Sequence, residues 1–344
     1  MNEATHPRLA LPQPYLLFVG DITVARNAKT AFGLCDWARE RCVGEFALSA
    51  QAVTTGLPRM SPVQARELGA RSLVIGAATI GGNIAASWVP ALVAALEAGL
   101  DVVSGMHTRL GSVPELAAAA ARTGRRLIDV RQPPPGLTVG TGRKRSGRRL
   151  LSVGTDCALG KKYTALSLTR EFKKRGVVAD FRATGQTGIL IAGGGIPIDS
   201  VISDFVAGAA EALSPDADPD HWDVVEGQGS VFHPLYAGVS LGLLHGTQPD
   251  VIVMCHEVGR DTVLGLPAYP TPQIPEAIEL TLRLARRTNP KVRCAGVSLN
   301  TAALDEARAR EVLSQQGRAL GLPVADPLRP GSELDRLVEA CLEE

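Results

Sequence analysis

The stretch Leu150–Thr164, LLSVGTDCALGKKYT, constrains this chain more than any other. An apolar run through Leu150, Leu151 and Val153 enters Gly154-Thr155-Asp156-Cys157-Ala158-Leu159-Gly160-Lys161, and the residues from Thr164 to Arg175-Gly176 continue with helical spacing. Strand, glycine-bounded loop, lysine and helix is the order needed to wrap an anion. The loop N–H groups and the helix N-terminus face the ligand, and the lysine adds a point charge. The strict form of such a loop places four residues between its first glycine and the Gly-Lys pair, then requires Ser or Thr. Here five residues separate Gly154 from Gly160, and Lys162 follows Lys161. The missing hydroxyl is the one that normally holds magnesium. Gly154, Thr155, Asp156, Gly160, Lys161, Lys162 and Thr164 are therefore the candidate phosphate contacts. The alternative is a strand–turn–helix junction whose glycines serve only the turn.

The totals narrow the partners. A chain of 344 residues with 45% hydrophobic and 21% charged residues suits two ordinary globular domains or one large α/β domain. A net charge of +1 gives no electrostatic case for nucleic acid or an anionic membrane, and 4% aromatics leaves little for base-stacking platforms. The six cysteines form no CxxC pair, which fits reduced thiols rather than a disulfide framework or a zinc site. The start, MNEATHPRLALPQP, lacks a charged-then-apolar leader pattern, and no apolar run is long enough to span a bilayer. The expected location is the cytoplasm.

Strands alternate with helices from the beginning. Strands are expected at Tyr15–Gly20, Ser72–Ala77, Leu100–Ser104 and Leu127–Val130, with helices over Lys29–Arg41, Trp88–Ala98 and Pro114–Arg122. This pattern predicts a Rossmann-like parallel sheet over 1–135, without a GxGxxG fingerprint. Residues 136–149, after a Pro-Pro-Pro-Gly run and rich in Arg and Lys, read as a solvated linker. Over 150–344 the alternation restarts as a phosphate-loop α/β domain. Strands are expected at Val177–Ala183, Asp223–Glu226, Val251–Cys255 and Gly296–Leu299, with a helix at Asp199–Leu213. Leu266–Pro275 holds four prolines and reads as a loop. Ligands of parallel sheets bind beyond the carboxyl ends of the strands, so polar residues there are candidates.

Glu226 ends an apolar strand before Gly227-Gln228-Gly229, and a carboxylate buried there is costly unless it is used or paired. It is a candidate base or metal contact; a capping role is the alternative. Gln186 and Thr187 in TGQTG, and Gln228 in EGQGS, sit on strand-exit loops among glycines that let a ligand approach. Asp199 suits a helix N-cap or a ligand contact equally. His107, His233 and His256 follow strand ends, as Asn300 does. An imidazole that is neutral near pH 7 suits a base that deprotonates an amine, although each histidine alone fits a structural role too. No HxxxH or HExxH spacing exists, so no resident metal is expected.

Several of these segments together resemble a known family. VGTDCALGKKYTAL, FRATGQTGILIAGGGIPIDSVISDFVAGAAE, VVEGQGSVFHPLYAGVSLGLLHG, VIVMCHE and VSLNTAAL are similar to the D-glutamate N-acetyltransferase family, long described as a domain of unknown function. GAATIGGN and VVSGMH resemble its Rossmann-like amino-terminal domain, and the five-residue loop resembles that of dethiobiotin synthetase-like proteins. The resemblance implies acetyl transfer from acetyl-CoA to the amine of D-glutamate. It implies the loop contacts already named for the carrier, and an amino-acid site drawn from His107, Gln186, Thr187, Asp199, Gln228 and Asn300. A base among Glu226, His233 and His256 would free the amine, loop N–H groups would stabilise the developing oxyanion, and Arg182, or basic groups of the amino-terminal domain, would pair with the substrate carboxylates. By analogy with such two-domain enzymes the protein is expected to be a homo-oligomer. Two alternatives stay open: an ATP-Mg-dependent kinase or ligase acting on a small carboxylate, with Asp156 and Glu226 as metal ligands, and a non-catalytic nucleotide or CoA sensor.

Overall fold

The computed structural model describes residues 11–343. The described chain forms two compact bodies: one comprises residues 11–132 together with 185–197, the other residues 133–184 and 198–343. The amino-terminal stretch read above as lacking a leader extends through residues 1–10, which lie outside the described residues.

The amino-terminal body is built on strands β1 (Tyr15–Gly20), β2 (Cys42–Ala47), β3 (Ser72–Ile75), β4 (Asp101–Ser104) and β5 (Leu127–Asp129). They form a parallel sheet in the order β2-β1-β3-β4-β5, a doubly wound arrangement. Every residue of β1 is buried, which explains why YLLFVG is an unbroken apolar run: a central parallel strand is covered on both faces. Helices α1 (Lys29–Trp37), α2 (Pro62–Glu67), α3 (Val89–Glu97) and α4 (Pro114–Thr123) connect the strands. Leu16, Phe18, Leu73, Ile75, Trp88, Leu92 and Leu96 fill one core, with the Trp88 ring edge-on to Phe18 at 5.4 Å. Truncating Phe18 to Ala would remove the centre of that cluster, at about 3–5 kcal/mol. Two elements escape the sequence periodicity. β2 is only half buried, and α2 is a short helix whose start is fixed by a capping box between Ser61 and Gln64.

The second body carries β6 (Arg148–Gly154), β7 (Ala179–Arg182), β8 (Trp222–Val225), β9 (Val251–Glu257), β12 (Arg293–Asn300) and β13 (Val324–Ala325). All pair in parallel, in the order β13-β12-β9-β6-β8-β7. Helices α5 (Lys161–Lys174), α7 (Val206–Leu213), α8 (Ala237–Thr247), α9 (Ile274–Ala285), α10 (Glu306–Leu320) and α11 (Ser332–Leu342) complete it. Leu150, Val224, Val253, Leu168 and Phe172 pack together, with Trp222 edge-on to Phe172 at 5.4 Å. Strand β6 lies at the sheet centre, so the loop leaving it is flanked by the ends of β8 and β9, which carry Glu226 and His256.

Four expectations are corrected. The basic run of 136–149 is not a solvated connector: Arg145 and Arg149 are buried. The Arg149 guanidinium donates to the Ser146, Gly147 and Pro215 carbonyls and to Ser214 Oγ, and Arg145 donates to the Gly246 and Ser214 carbonyls. Charge placed there satisfies backbone oxygens of the second body. Asp199–Leu213 is not one helix; two single turns, at Ile198–Ser200 and Ser203–Phe205, precede α7. Leu266–Pro275 is not all loop: β11 (Leu266–Pro270) pairs antiparallel with β10 (Thr262–Val263), a two-stranded hairpin outside the main sheets where proline costs no central ladder bond. Gln186 and Thr187 lie not on a loop but at the start of helix α6 (Gln186–Ala192), which belongs to the amino-terminal body. Among the described residues no helix is long and apolar enough to cross a membrane.

Candidate active site

The loop between β6 and α5 folds around its own lysine. Lys161 is buried, and its Nζ donates to the Asp156 carbonyl at 2.7 Å. Burial pushes its ammonium below the usual lysine range, against the opposing pull of Cys157, Cys255, Asp156 and Glu226. Gly160 sits at φ +114°, which a Cβ would strain, and Ala158 adopts a positive φ of 55°, rare for a residue with a side chain. The N–H groups of Ala158, Leu159 and Gly160 have no acceptor among the described residues, and the first N–H groups of α5 follow them. Uncommitted donors beside a buried lysine are what an anion needs.

Asp156 holds this loop in shape. Its carboxylate is fully buried. Oδ1 accepts from its neighbour's N–H, that of Cys157, at 2.6 Å. Oδ2 accepts from Arg260 Nη1 and from the Leu264 N–H, each at 2.8 Å, which ties the β10–β11 hairpin to the loop. Arg260 also pairs with Glu257. Asp156, Cys157 and His233 bring one donor atom each within 4.8 Å of one another. Since both Asp156 oxygens already accept, and Arg260 and Lys161 place positive charge beside it, the group suits loop geometry better than a cation.

Thr164 turns away from the loop. Its hydroxyl bonds Ser298 Oγ at 2.7 Å and the Gly160 carbonyl at 3.2 Å, and it accepts from the Cys255 thiol at 3.4 Å. It anchors α5 to β9 and β12. Lys162, one position into the helix, is partly exposed with its ammonium over the Tyr163 ring at 4.7 Å.

Glu226, at the end of β8, accepts from the Thr184 N–H at 3.0 Å, and its own carbonyl accepts from Thr184 Oγ1 at 2.6 Å. The same Thr184 hydroxyl accepts from the Gln228 amide at 3.0 Å. A Cβ on Gly227 would lie 1.7 Å from the Ser152 carbonyl and 3.2 Å from Lys161 Cδ, so only glycine lets this strand end pass. His256, at the end of β9, is partly buried and bonds Thr155 Oγ1 through Nδ1 at 2.8 Å. Burial first, and Arg260 second, push its pKa below the ordinary histidine value, with Glu257 and Asp261 opposing. His233 is 2% exposed, and its Nδ1 accepts from the Leu235 N–H at 3.1 Å. Burial lowers its pKa; Asp156 acts to raise it and Lys161 to lower it.

The remaining candidates divide. Asn300 ends β12 beside Glu257 of β9, its Oδ1 accepting from the Ala302 N–H at 3.1 Å. Asp199 is exposed, in the turn that follows the return into the second body. Arg182 donates through Nε to the buried Asp223 at 2.6 Å. His107, Gln186 and Thr187 gather in the amino-terminal body. A Cβ on Gly82 would lie 2.3 Å from His107 Cδ2, and one on Gly105 would lie 1.9 Å from Gln186 Oε1; Thr187 Oγ1 bonds Thr30 Oγ1 at 2.9 Å. Sequence reasoning passed over Arg260 and Thr184, although Thr184 directly follows the strand expected at Val177–Ala183 and Arg260 lies five residues beyond the one expected at Val251–Cys255.

A Rossmann-like sheet and a phosphate-loop sheet, with buried acid, imidazole and lysine around the loop, define a two-domain α/β protein. The chain belongs to the DUF1611 family: residues 138–338 match its carboxyl-terminal P-loop domain and residues 40–133 its amino-terminal Rossmann-like domain, both described as domains of unknown function. It is 46% identical over 323 residues to a D-glutamate N-acetyltransferase of Pseudoalteromonas sp, covering 94% of this chain and 97% of that one. It is 47% identical over 327 residues to a D-glutamate N-acetyltransferase of Tritonibacter scottomollicae, covering 95% and 98%. The crystal structure of a DUF1611 family protein from Anabaena variabilis superposes with a TM-score of 0.85 at 34% identity, over 96% of this chain and 99% of that one.

Proposed function

We propose that this protein is an amino-acid N-acetyltransferase that moves the acetyl group of acetyl-CoA to the amine of D-glutamate. Near-full-length identity of 46% and 47% to two D-glutamate N-acetyltransferases carries the reading. The geometry supports it against the nucleotide alternative. A magnesium–ATP site needs an uncommitted oxygen ligand at the loop. Thr164 is committed to Ser298 and Gly160, and Asp156 to Arg260 and the Leu264 N–H. The N–H groups of Ala158, Leu159 and Gly160, with Lys161 and Lys162, fit the phosphates of a coenzyme without metal.

In this reading acetyl-CoA supplies the activated acyl group. Lys161 moves its hydrogen bond from the Asp156 carbonyl to a phosphate oxygen, and the loop N–H groups complete the cradle. His256 removes a proton from the substrate ammonium through Nε2. The freed amine attacks the thioester carbonyl, the C–S bond breaks as the amide forms, and the second proton lost by the nitrogen passes to the departing CoA thiolate. The depressed pKa of His256 keeps its ring neutral at pH 7, as a base requires. Glu226 holds the strand end against Thr184 and balances the charge of Lys161. Calorimetric titration with CoA and with ATP-Mg separates the readings. Saturable CoA binding without ATP-Mg binding supports the transferase, and ATP-Mg binding alone removes it.

A further inference from the structure

We propose that His233 and Asp156 form a positioning pair beneath the phosphate loop. In it His233 is held as an Nε2–H donor and takes no proton from substrate, so that proton transfer falls to His256. The kinetic part of this proposal rests on the acetyltransferase reading; the tautomer rests on geometry alone.

A ring nitrogen accepts a hydrogen bond only through an unprotonated lone pair. The Leu235 N–H donates to His233 Nδ1 at 3.1 Å, so that lone pair is in use and a neutral ring carries its proton on Nε2. Nε2 lies 3.8 Å from Asp156 Oδ1, an electrostatic contact between a positive ring edge and a carboxylate. The ring stacks at 4.5 Å from Tyr236 and is 2% exposed, which leaves no approach for an amine. To act as a base His233 would have to give up the Leu235 bond. It would then hold a cation near the buried Lys161, with Asp156 the acid that faces it. Leu235 and Tyr236 come from the segment entering α8, Asp156 from the loop after β6, and Lys161 from the start of α5. The charged groups around His233 are thus Asp156 and Lys161.

His256 has the opposite arrangement. One nitrogen bonds Thr155 Oγ1 at 2.8 Å, and Nε2 has no partner among the described residues. It is partly exposed at a strand end, facing Arg260, Glu257 and Asp261. In the tautomer whose Nδ1–H donates to Thr155 Oγ1, the Nε2 lone pair is free, as the base role requires.

Asp156 gives the pair its purpose. Its carbonyl receives Lys161, one carboxylate oxygen receives Arg260 and the hairpin, and the other faces His233. Positive edges on two sides hold the carboxylate where the loop needs it, the role that outer-layer partners play for a functional group.

Long-range nitrogen–proton NMR of the free protein reads the tautomer directly, with His233 assigned by its loss in H233Q. The expected result is an unprotonated Nδ1 and a protonated Nε2 at about pH 8, with any titration lying below the ordinary histidine value of 6.5. A ring protonated on Nδ1, or one that titrates at or above that value, overturns the proposal whatever the enzyme's activity. In acetyl transfer, H233Q keeps a donor at the Nε2 position and H233N keeps an acceptor near Nδ1; neither can serve as a base. The account expects at least one of them to keep kcat within about tenfold of the parent, with KM for acetyl-CoA raised and the acidic limb of the pH profile unmoved. H256Q should remove that limb. Loss of the limb in both His233 variants, with kcat down about 100-fold or more, overturns the assignment. Absence of any acetyl transfer by the unaltered protein counts against the functional reading and leaves the NMR result to decide the tautomer.

Discussion

Replacing Lys161 by methionine separates what the loop lysine does for binding from what it costs the fold. The side chain is buried, and its ammonium makes one bond, 2.7 Å to the Asp156 carbonyl. Losing a hydrogen bond to a charged donor forfeits about 1.5–3 kcal/mol. Against that stands the relief of a desolvated charge, and exchanging buried charge for an apolar chain of similar volume is often neutral or stabilising by about 1–4 kcal/mol. K161M should therefore unfold in urea at the parent's midpoint or slightly above it. Its CoA affinity should fall by about 10- to 150-fold, the equivalent of one charge-assisted bond of about 1.5–3 kcal/mol. The pH dependence carries a definite sign. The folded pKa of Lys161 lies below the ordinary lysine value of 10.5, so the cost of burial is complete below the folded pKa and is relieved as pH rises from there toward 10.5. The parent should gain stability relative to K161M across that alkaline window. Paired urea melts and calorimetric CoA titrations test this. CoA binding within about threefold of the parent, or a loss of more than about 3 kcal/mol of stability, would refute the reasoning.

Other consequences follow from particular contacts. G227A drives a methyl to 1.7 Å from the Ser152 carbonyl, a backbone atom that cannot step aside; the variant should be insoluble, or lose more than the roughly 1–3 kcal/mol of ordinary overpacking by thermal melt. R149M removes a buried guanidinium that satisfies the Ser146, Gly147 and Pro215 carbonyls and should cost about 3–5 kcal/mol in urea unfolding, although it lies in a run that looks like a linker. E226Q keeps an acceptor for the Thr184 N–H, so acetyl transfer should keep its acidic limb; loss of that limb would return the base role to Glu226. The folded pKa of His256 lies below 6.5, so folding stability should decline, and transferase rate fall, as pH drops from 6.5 through that folded value; H256Q should flatten both.

Much of the phosphate-loop half was legible because it depends on local order. A buried central strand, a glycine-bounded turn and a helix are continuous in sequence, and β6 to α5 reproduces them. The ends of β8 and β9 were recognisable as polar residues closing apolar runs, and parallel pairing brings Glu226 and His256 to the two sides of the loop. What escaped depends on pairing across distance. Nothing local says that Arg145 and Arg149 turn inward to cap carbonyls some hundred and some sixty-five residues away in the chain, at Gly246 and Ser214. Thr164 read as a loop contact, yet its partners, Ser298 and Cys255, come from two other strands. His233 and His256 looked equivalent as histidines near strand ends. Only the Leu235 N–H on one and the Thr155 hydroxyl on the other distinguish them. Gln186 and Thr187 read as polar residues among glycines, and only the folded contacts of α6, Thr187 with Thr30 and Gln186 with Gly105, show that they belong to the amino-terminal body.

The most direct test follows product rather than binding. Purified protein incubated with isotopically labelled acetyl-CoA and D-glutamate, without added metal or ATP, should give labelled N-acetylglutamate and free CoA in equal amounts by mass spectrometry. K161M should slow the reaction at limiting acetyl-CoA. Absence of labelled product with D-glutamate and with any other amino acid tried, under conditions where the protein still binds CoA, would contradict the account.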